Sequence, residues 1–203
     1  QRNNLLKQIS FNAELKDTLD IWDDQICSFG SYIIEKRRNF IVEINKLAVK
    51  IHDILTEGKE KLEIEYSPNV SEENFKNELL QNRDKDIILK SSSTGPHRDD
   101  IIFLINGNDA KKYGSQGQQR TASLSLKLAE LELVKLRTGK NPVLLLDDVL
   151  SELDRNRQTK LLQNISGVQT VITCTGLDEL VKNRVRHDKV YKVKAGTVTE
   201  DRI

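Results

Sequence analysis

The chain of 203 residues contains no methionine, one tryptophan, two cysteines, three histidines and three prolines. Cys27 and Cys174 are too few and too far apart for a disulfide framework. Neither they nor His52, His97 and His187 show a metal-ligand spacing. A reducing, cytoplasmic setting is therefore expected. No apolar run approaches the roughly 20 residues that cross a bilayer as a helix, and no signal peptide opens the chain. Net charge is +1, so any binding to nucleic acid must rest on local patches. The phosphate-binding pattern G-x-x-x-x-G-K-[ST] is missing throughout. The start at Gln1-Arg2, with no Met anywhere, predicts a piece excised from a longer protein.

What is present is ordinary in bulk: 31% charged and 37% hydrophobic residues, as in a soluble globular protein. The informative stretch runs from Gly114 to Asp154. Val143-Leu144-Leu145-Leu146 followed by Asp147-Asp148 reads as a fully buried parallel strand. Carboxylates at the C-terminal end of such a strand lie where open α/β sheets bind ligands. Asp147 is the candidate ligand of a hydrated Mg²⁺, since hard cations prefer oxygen, and Asp148 the candidate to orient or deprotonate a water. Taken alone, the pair fits a strand ending in a polar turn equally well. Ser115-Gln116-Gly117-Gln118 precedes a long Leu-rich segment. A helix N-terminus offers free N–H groups and partial positive charge to a phosphate. Gly117 permits close approach and the Ser115 hydroxyl adds a donor. An ordinary Gly/Ser helix cap is the plainer alternative.

In this order and spacing, the pieces resemble the C-terminal half of an ABC-type ATPase: Ser115 to Gln118 the signature motif, Leu144 to Asp148 the Walker B strand, Ser151 to Asp154 the D-loop. With Gly95-Pro96-His97-Arg98-Asp99-Asp100 and, more weakly, Trp22-Asp23-Asp24-Gln25, the chain is identified as a member of the RecF-like, SMC-like ATPases of bacterial DNA repair. The resemblance implies an α/β fold, the C-terminal lobe of a P-loop ATPase head, carrying an N-terminal long-helix arm. It divides the chain into an arm at 1–58 and a head portion at 59–203. It implies ATP and Mg²⁺ as cofactors, bound together with a Walker A loop outside this chain. Ser115, Gln116, Gly117, Gln118 and Asp154 become nucleotide-binding residues, Asp147 the metal ligand and Asp148 the catalytic acid. It further implies DNA at gaps and single-strand/duplex junctions, RecO and RecR as partners, an ATP-dependent homodimer, and work in repair, recombination, replication and the SOS response. Gln116 stands where many ABC members carry Gly. Asp148 stands where most carry Glu and Cys174 where many carry His, and these two departures imply slow hydrolysis. The chain alone is expected to be inactive. Other SMC-like or ABC heads, or a non-catalytic binding module, are the competing readings.

Taken in order, Asn4 to Lys16 is expected to be helical. Trp22, Ile26, Phe29, Ile33, Phe40, Ile44, Leu47, Ile51 and Ile54 draw one stripe along a helix from Leu19 to Leu55, stopped by Gly58 and bent at Gly30. That stripe needs a helical partner, and the first segment is the nearest candidate. Lys36, Arg37 and Arg38 either touch DNA or form a solvated basic turn, the latter being favoured. Strands are expected at Leu62 to Tyr66, Ile87 to Leu89 and Ile101 to Ile105, with a helix from Ser71 to Arg83. Asn106-Gly107 signals a hairpin returning near Lys111 to Tyr113. The cluster at His97 to Asp100 reads as a functional group or as a salt-bridged strand entry. Gln118 to Arg137 is expected to be a largely buried helix ended by Gly139. Asp154 should cap a helix to Asn164, followed by a strand at Val168 to Thr173, a helix at Leu177 to Lys182, and a hairpin of Lys189 to Val193 with Thr197 to Thr199 about Gly196.

Overall fold

The computed structural model describes residues 1–165, 167–175 and 188–201. The expected helix at Leu177 to Lys182 and His187 lie outside them. The chain forms two compact units, Gln1–Lys140 and Asn141–Ile203.

The first unit is built on a 38-residue helix, α2 (Leu19–Thr56), preceded by α1 (Arg2–Ile9) and a 3₁₀ segment at Ala13–Thr18. The helix stops where Glu57 and Gly58 take left-handed backbone, the Gly58 N–H reaching back 3.0 Å to the Asp53 carbonyl. Strand β1 (Leu62–Ser67) pairs antiparallel with β2 (Asp100–Ile105), and β2 turns at Asn106-Gly107 into a two-residue β3 (Asn108–Asp109). Both turn residues have positive φ, as the tight hairpin requires. Between β1 and β2 come α3 (Phe75–Gln81) and α4 (Arg83–Leu89). A short α5 (Ala110–Tyr113) leads to the 23-residue α6 (Gln116–Thr138), closed by Gly139 at φ 68°.

Helix α2 takes several partners along its length. Its first turn contributes Leu19 to a cluster with Leu5, Leu6 and Ile9. Ile34, midway, packs with Val70, Phe75 and Leu79. Farther on, Asn45 Oδ1 accepts from the Ile64 N–H of β1 at 2.9 Å, and Glu43 and His52 reach Arg137 and Ser125 of α6. The α1 segment therefore covers only the start of the stripe. The buried face follows the expected stripe at Ile44 and Ile51, with Trp22 and Ile26 packed on the clusters, and departs from it elsewhere. Ile34, Ile41 and Leu55 are buried where Ile33, Phe40 and Ile54 had been expected, and Phe29 is 70% exposed. Apolar residues occupy more than half the circumference of α2, so periodicity alone could not choose the side. Gly30 marks no demonstrated bend; a Cβ there would sit 2.2 Å from Phe75 Cε1, so the glycine permits close packing.

Three further expectations give way. Ile87 to Leu89 is helical, because α4 is anchored through Arg83 to Asp20 and Asp23 and through Asp86 to Arg2, with Ile87 alone of the three packed on the α1 cluster. Lys111 to Tyr113 is a helical turn, because Asp109 Oδ1 accepts from the N–H groups of Lys111 and Lys112 and ends the strand. The helix expected from Ser71 to Arg83 is shorter, starting at Phe75 and ending at Gln81.

The second unit holds β4 (Leu144–Asp147), a 3₁₀ turn at Val149–Glu152, α7 (Arg155–Asn164) and β5 (Thr170–Thr173), with β4 and β5 parallel. A hairpin of β6 (Val190–Lys194) and β7 (Thr197–Asp201) follows, as expected around Gly196. β4 is not fully buried: Leu144 and Leu146 are, but Leu145 is 72% exposed. Only β5 pairs with β4 among the described residues, and one face of this sheet stays open.

Candidate functional site

The signature residues sit at the N-terminus of α6. Ser115 is the N-cap in extended backbone, and the cap is reciprocal: its Oγ accepts from the Gln118 N–H at 3.2 Å, while Gln118 Oε1 accepts from the Ser115 N–H at 2.9 Å. This capping box occupies the Ser115 oxygen as an acceptor and leaves its O–H proton available to donate. The Gln118 side-chain amide keeps its N–H donors. By helix geometry the N–H groups of Gln116 and Gly117 point out of the first turn. Ser115 and Gln116 are exposed, and Gly117 and Gln118 half-buried. The four residues thus converge as donors on one open helix end, which suits an anion.

Two residues that the sequence reading did not single out hold this loop. Gln119 Nε2 donates to the carbonyls of Ala110 and Gly114 at 2.9 and 3.1 Å, tying α6 to α5. Gly114 can only be glycine, since a Cβ would lie 2.5 Å from the Ala110 oxygen. A side-chain amide bonding to the preceding loop has no sequence signature.

Asp147 and Asp148 come together at the C-terminal end of β4, in register with Thr173 of β5. Thr173 Oγ1 donates to Asp147 Oδ1 in a short hydrogen bond. Asp148 takes left-handed backbone (φ 52°), and its N–H is shared between the carbonyl and hydroxyl oxygens of Thr173 at 3.1 and 3.0 Å. Its carbonyl accepts from Ser151 Oγ at 2.8 Å. Thr173 therefore orients both aspartates, a role that its place at a strand end did not reveal. Both carboxylates are exposed. Asp147 Oδ2 and Asp148 offer hard oxygens, but no cluster of three or more His, Cys, Asp or Glu suited to a metal occurs among the described residues. Two exposed carboxylates are hard-oxygen donors of the kind a hydrated Mg²⁺ would take from a protein. Beside the pair, the Cys174 thiol is pushed above its ordinary pKa by burial and then by the Asp148 charge.

Asp154 caps α7: its Oδ1 accepts from the N–H groups of Asn156 and Arg157, each at 3.0 Å. Gln158 Nε2 donates to the carbonyls of Leu150 and Leu153, fixing the turn between β4 and α7. Ser115 to Gln118 belong to the first compact unit, and Asp147, Asp148 and Asp154 to the second.

The His97 to Asp100 cluster resolves into the salt-bridged strand entry. The Asp99 side chain, 3% exposed, accepts from Arg37, the Tyr66 hydroxyl and the Asn69 N–H. Burial, and then the bond to Asp99, push the Tyr66 hydroxyl up to about 12. Arg37 also donates to the Pro96 carbonyl, and Arg38 grips both oxygens of Glu72 at 2.8 Å. Lys36, Arg37 and Arg38 are exposed, as the solvated turn requires, and Arg37 and Arg38 are in addition paired with the loops at 69–72 and 96–99. Lys36 lies over the Tyr32 ring, 5.1 Å from its centroid.

A signature-type helix end on one unit and a Walker B-type strand end on the other define the class: the C-terminal lobe of an ABC-type ATPase head. A structure of SMC ATPases, concerned with ATP-driven dimerization and DNA-stimulated activation, aligns with 83% of this chain and 88% of its own at a TM-score of 0.50 and 15% identity, a likeness of fold. Within that class the particular match is RecF. The chain is 59% identical over 198 residues to the DNA replication and repair protein RecF of Lachnoclostridium phytofermentans and 45% identical over 203 residues to that of Clostridium perfringens, covering 98% of itself in each case. Its fold superposes on the recombination mediator protein RecF–ATP in the RecFOR pathway at a TM-score of 0.82 with 37% identity, covering 99% of this chain and 55% of that one. The RecF–ATPrS structure gives 0.81 and 38%, over 98% and 54%. In sequence and fold the chain thus matches a C-terminal segment of RecF, and it spans 55% of the length of the curated relatives cited. No family model matches.

Proposed function

We propose that this chain supplies the signature-bearing C-terminal portion of a RecF-type, ATP-dependent DNA-binding ATPase. The observation that carries the reading is the donor set at the start of α6, where the capping box fixes Ser115 while leaving its hydroxyl proton free. In this reading 1–58 serves as the helical arm and 59–203 as the head portion, a division by role. Ser115, Gln116, Gly117 and Gln118 cap the γ-phosphate of ATP held by the opposite subunit of a homodimer. In its own subunit Asp147 holds Mg²⁺ through water or directly, Asp148 orients and deprotonates the attacking water, and Asp154 sets the turn that follows. Mg²⁺ supplies neutralisation of phosphate charge. The closed dimer is favoured by ATP because only that state offers both sets of contacts. Asp148 is one methylene shorter than Glu, and Cys174 provides no imidazole, so turnover is slow and the chain without a Walker A loop is inactive. The names of its relatives, a DNA replication and repair protein and a recombination mediator, support a role in DNA repair, replication and recombination. On this reading the full protein works in the cytoplasm on gapped or junction DNA, with RecO and RecR, to help load a recombinase.

Sedimentation of a full-length protein carrying these residues tests the reading. ATP is expected to convert wild type to dimer and to leave Ser115→Arg monomeric. Equal dimerisation of both would overturn the clamp and favour a plain binding module.

A further inference from the structure

A chain of hydrogen bonds runs through the core of the first unit from α2 to the signature loop. Ser125 Oγ donates to the Thr121 carbonyl at 2.7 Å. That uses the only hydroxyl proton of Ser125, so the contact with His52 Nδ1 at 3.1 Å is a bond donated by the imidazole. The other ring nitrogen lies 3.5 Å from Glu60 Oε2, at the far end of α2. Toward the loop, Thr121 Oγ1 donates to the Gly117 carbonyl at 2.7 Å. His52, Thr121 and Ser125 are completely buried.

The end point gives this chain its meaning. The Gly117 carbonyl and the Gln118 N–H belong to one planar peptide unit. That same N–H holds Ser115 Oγ. Turning the plane therefore moves the Ser115 hydroxyl. Thr121 and Ser125 also weaken α6 as a helix, because such back-bonding to the i−4 carbonyl competes with the ladder and bends it. Alanine or leucine would pack a helix interface at lower cost. The donors all point from His52 toward Ser115, in two steps joined through the backbone of Thr121.

We infer that His52, Ser125 and Thr121 form a positioning relay through which the long helix α2 sets the Ser115 clamp. This rests on the reading of Ser115 as a phosphate clamp and names what positions it.

The test uses a full-length protein carrying these residues and reads the ATP concentration for half-maximal dimerisation in sedimentation, alongside the thermal unfolding midpoint. Thr121→Val keeps shape and loses the donor; it and Ser125→Ala are expected to raise that concentration about five- to tenfold, the equivalent of one buried hydrogen bond. Thr121→Ser keeps the hydroxyl and restores near wild-type dimerisation. His52→Leu combined with Thr121→Val is expected to be non-additive in dimerisation and additive in unfolding. Should His52→Leu not fold, His52→Phe, which keeps a ring and loses the donor, takes its place in the cycle. Dimerisation unchanged in Thr121→Val and Ser125→Ala, while Ser115→Arg still blocks it, overturns the relay and leaves the clamp standing. Failure of Thr121→Ser to rescue, or additivity in both readouts, also overturns it. Normal dimerisation of Ser115→Arg removes the clamp itself, a separate result.

Discussion

Replacing Gly30 by alanine should destabilise the protein, although alanine is the better helix former. Gly30 is buried in the middle of α2, where its Cα faces the ring of Phe75. The new methyl group would meet Phe75 Cε1 at 2.2 Å and Cζ at 3.0 Å, against an ordinary contact of at least 3.4 Å. Phe75 is fully buried among Ile34, Val70 and Leu79. Gly95 also lies against the ring, where a Cβ would sit 3.2 Å from Phe75 Cζ. A fully buried ring approached by two glycines has little room to retreat. Overpacking of this kind costs about 1–3 kcal/mol, occasionally more. The gain from replacing glycine within a helix is about 1 kcal/mol. A net loss of up to about 2 kcal/mol is expected, equivalent to a fall of up to several degrees in the unfolding midpoint for a domain of this size. Thermal unfolding of Gly30→Ala beside wild type, in the full-length protein, measures it. Phe75→Leu in the Gly30→Ala background should recover part of the loss by shrinking the ring. A midpoint equal to or above wild type, or no rescue by Phe75→Leu, would refute the packing argument.

Three further expectations follow from other parts of the molecule. Arg2, 1% exposed, joins Asp23 at 2.6 Å with Asp86 and Ser92 at 2.7 Å, so Arg2→Met strands buried carboxylate and should cost about 3–5 kcal/mol in chemical denaturation. Tyr66, pushed up to about 12 in the fold, holds its proton more tightly there than in the unfolded chain. Its stabilising share is therefore complete below about pH 10 and lost as pH rises through about 12; unfolding midpoints of wild type measured over that window should fall more steeply than those of Tyr66→Phe. In a Cys27→Ser background, alkylation of Cys174 should be slow near neutral pH, since burial and the Asp148 charge disfavour its thiolate. Asp148→Asn should speed it, and an unchanged rate would mean that Asp148 does not bear on the thiol.

The sequence by itself determined the parts whose cause is local. Ser115 three residues before Gln118, Asp154 ahead of α7, Gly139 after α6 and Asn106-Gly107 in the hairpin all act within a few residues, so their chemistry is written in the order of side chains. The apolar run ending in Asp147-Asp148 likewise announced a parallel strand with acids at its ligand end. What only the tertiary structure decided involves partners distant in sequence. Which side of α2 is buried depends on Phe75, β1 and α6, because its apolar residues left more than one face possible. Ile87 to Leu89 became helix because Arg2, from the far end of the chain, holds Asp86. Thr173, Gln119 and the path from His52 to Ser125 position the candidate site through hydrogen bonds whose donors and acceptors no sequence spacing encodes. Local periodicity fixes what an element can be; burial and polar satisfaction across the fold fix which face it turns inward and what its side chains hold in place.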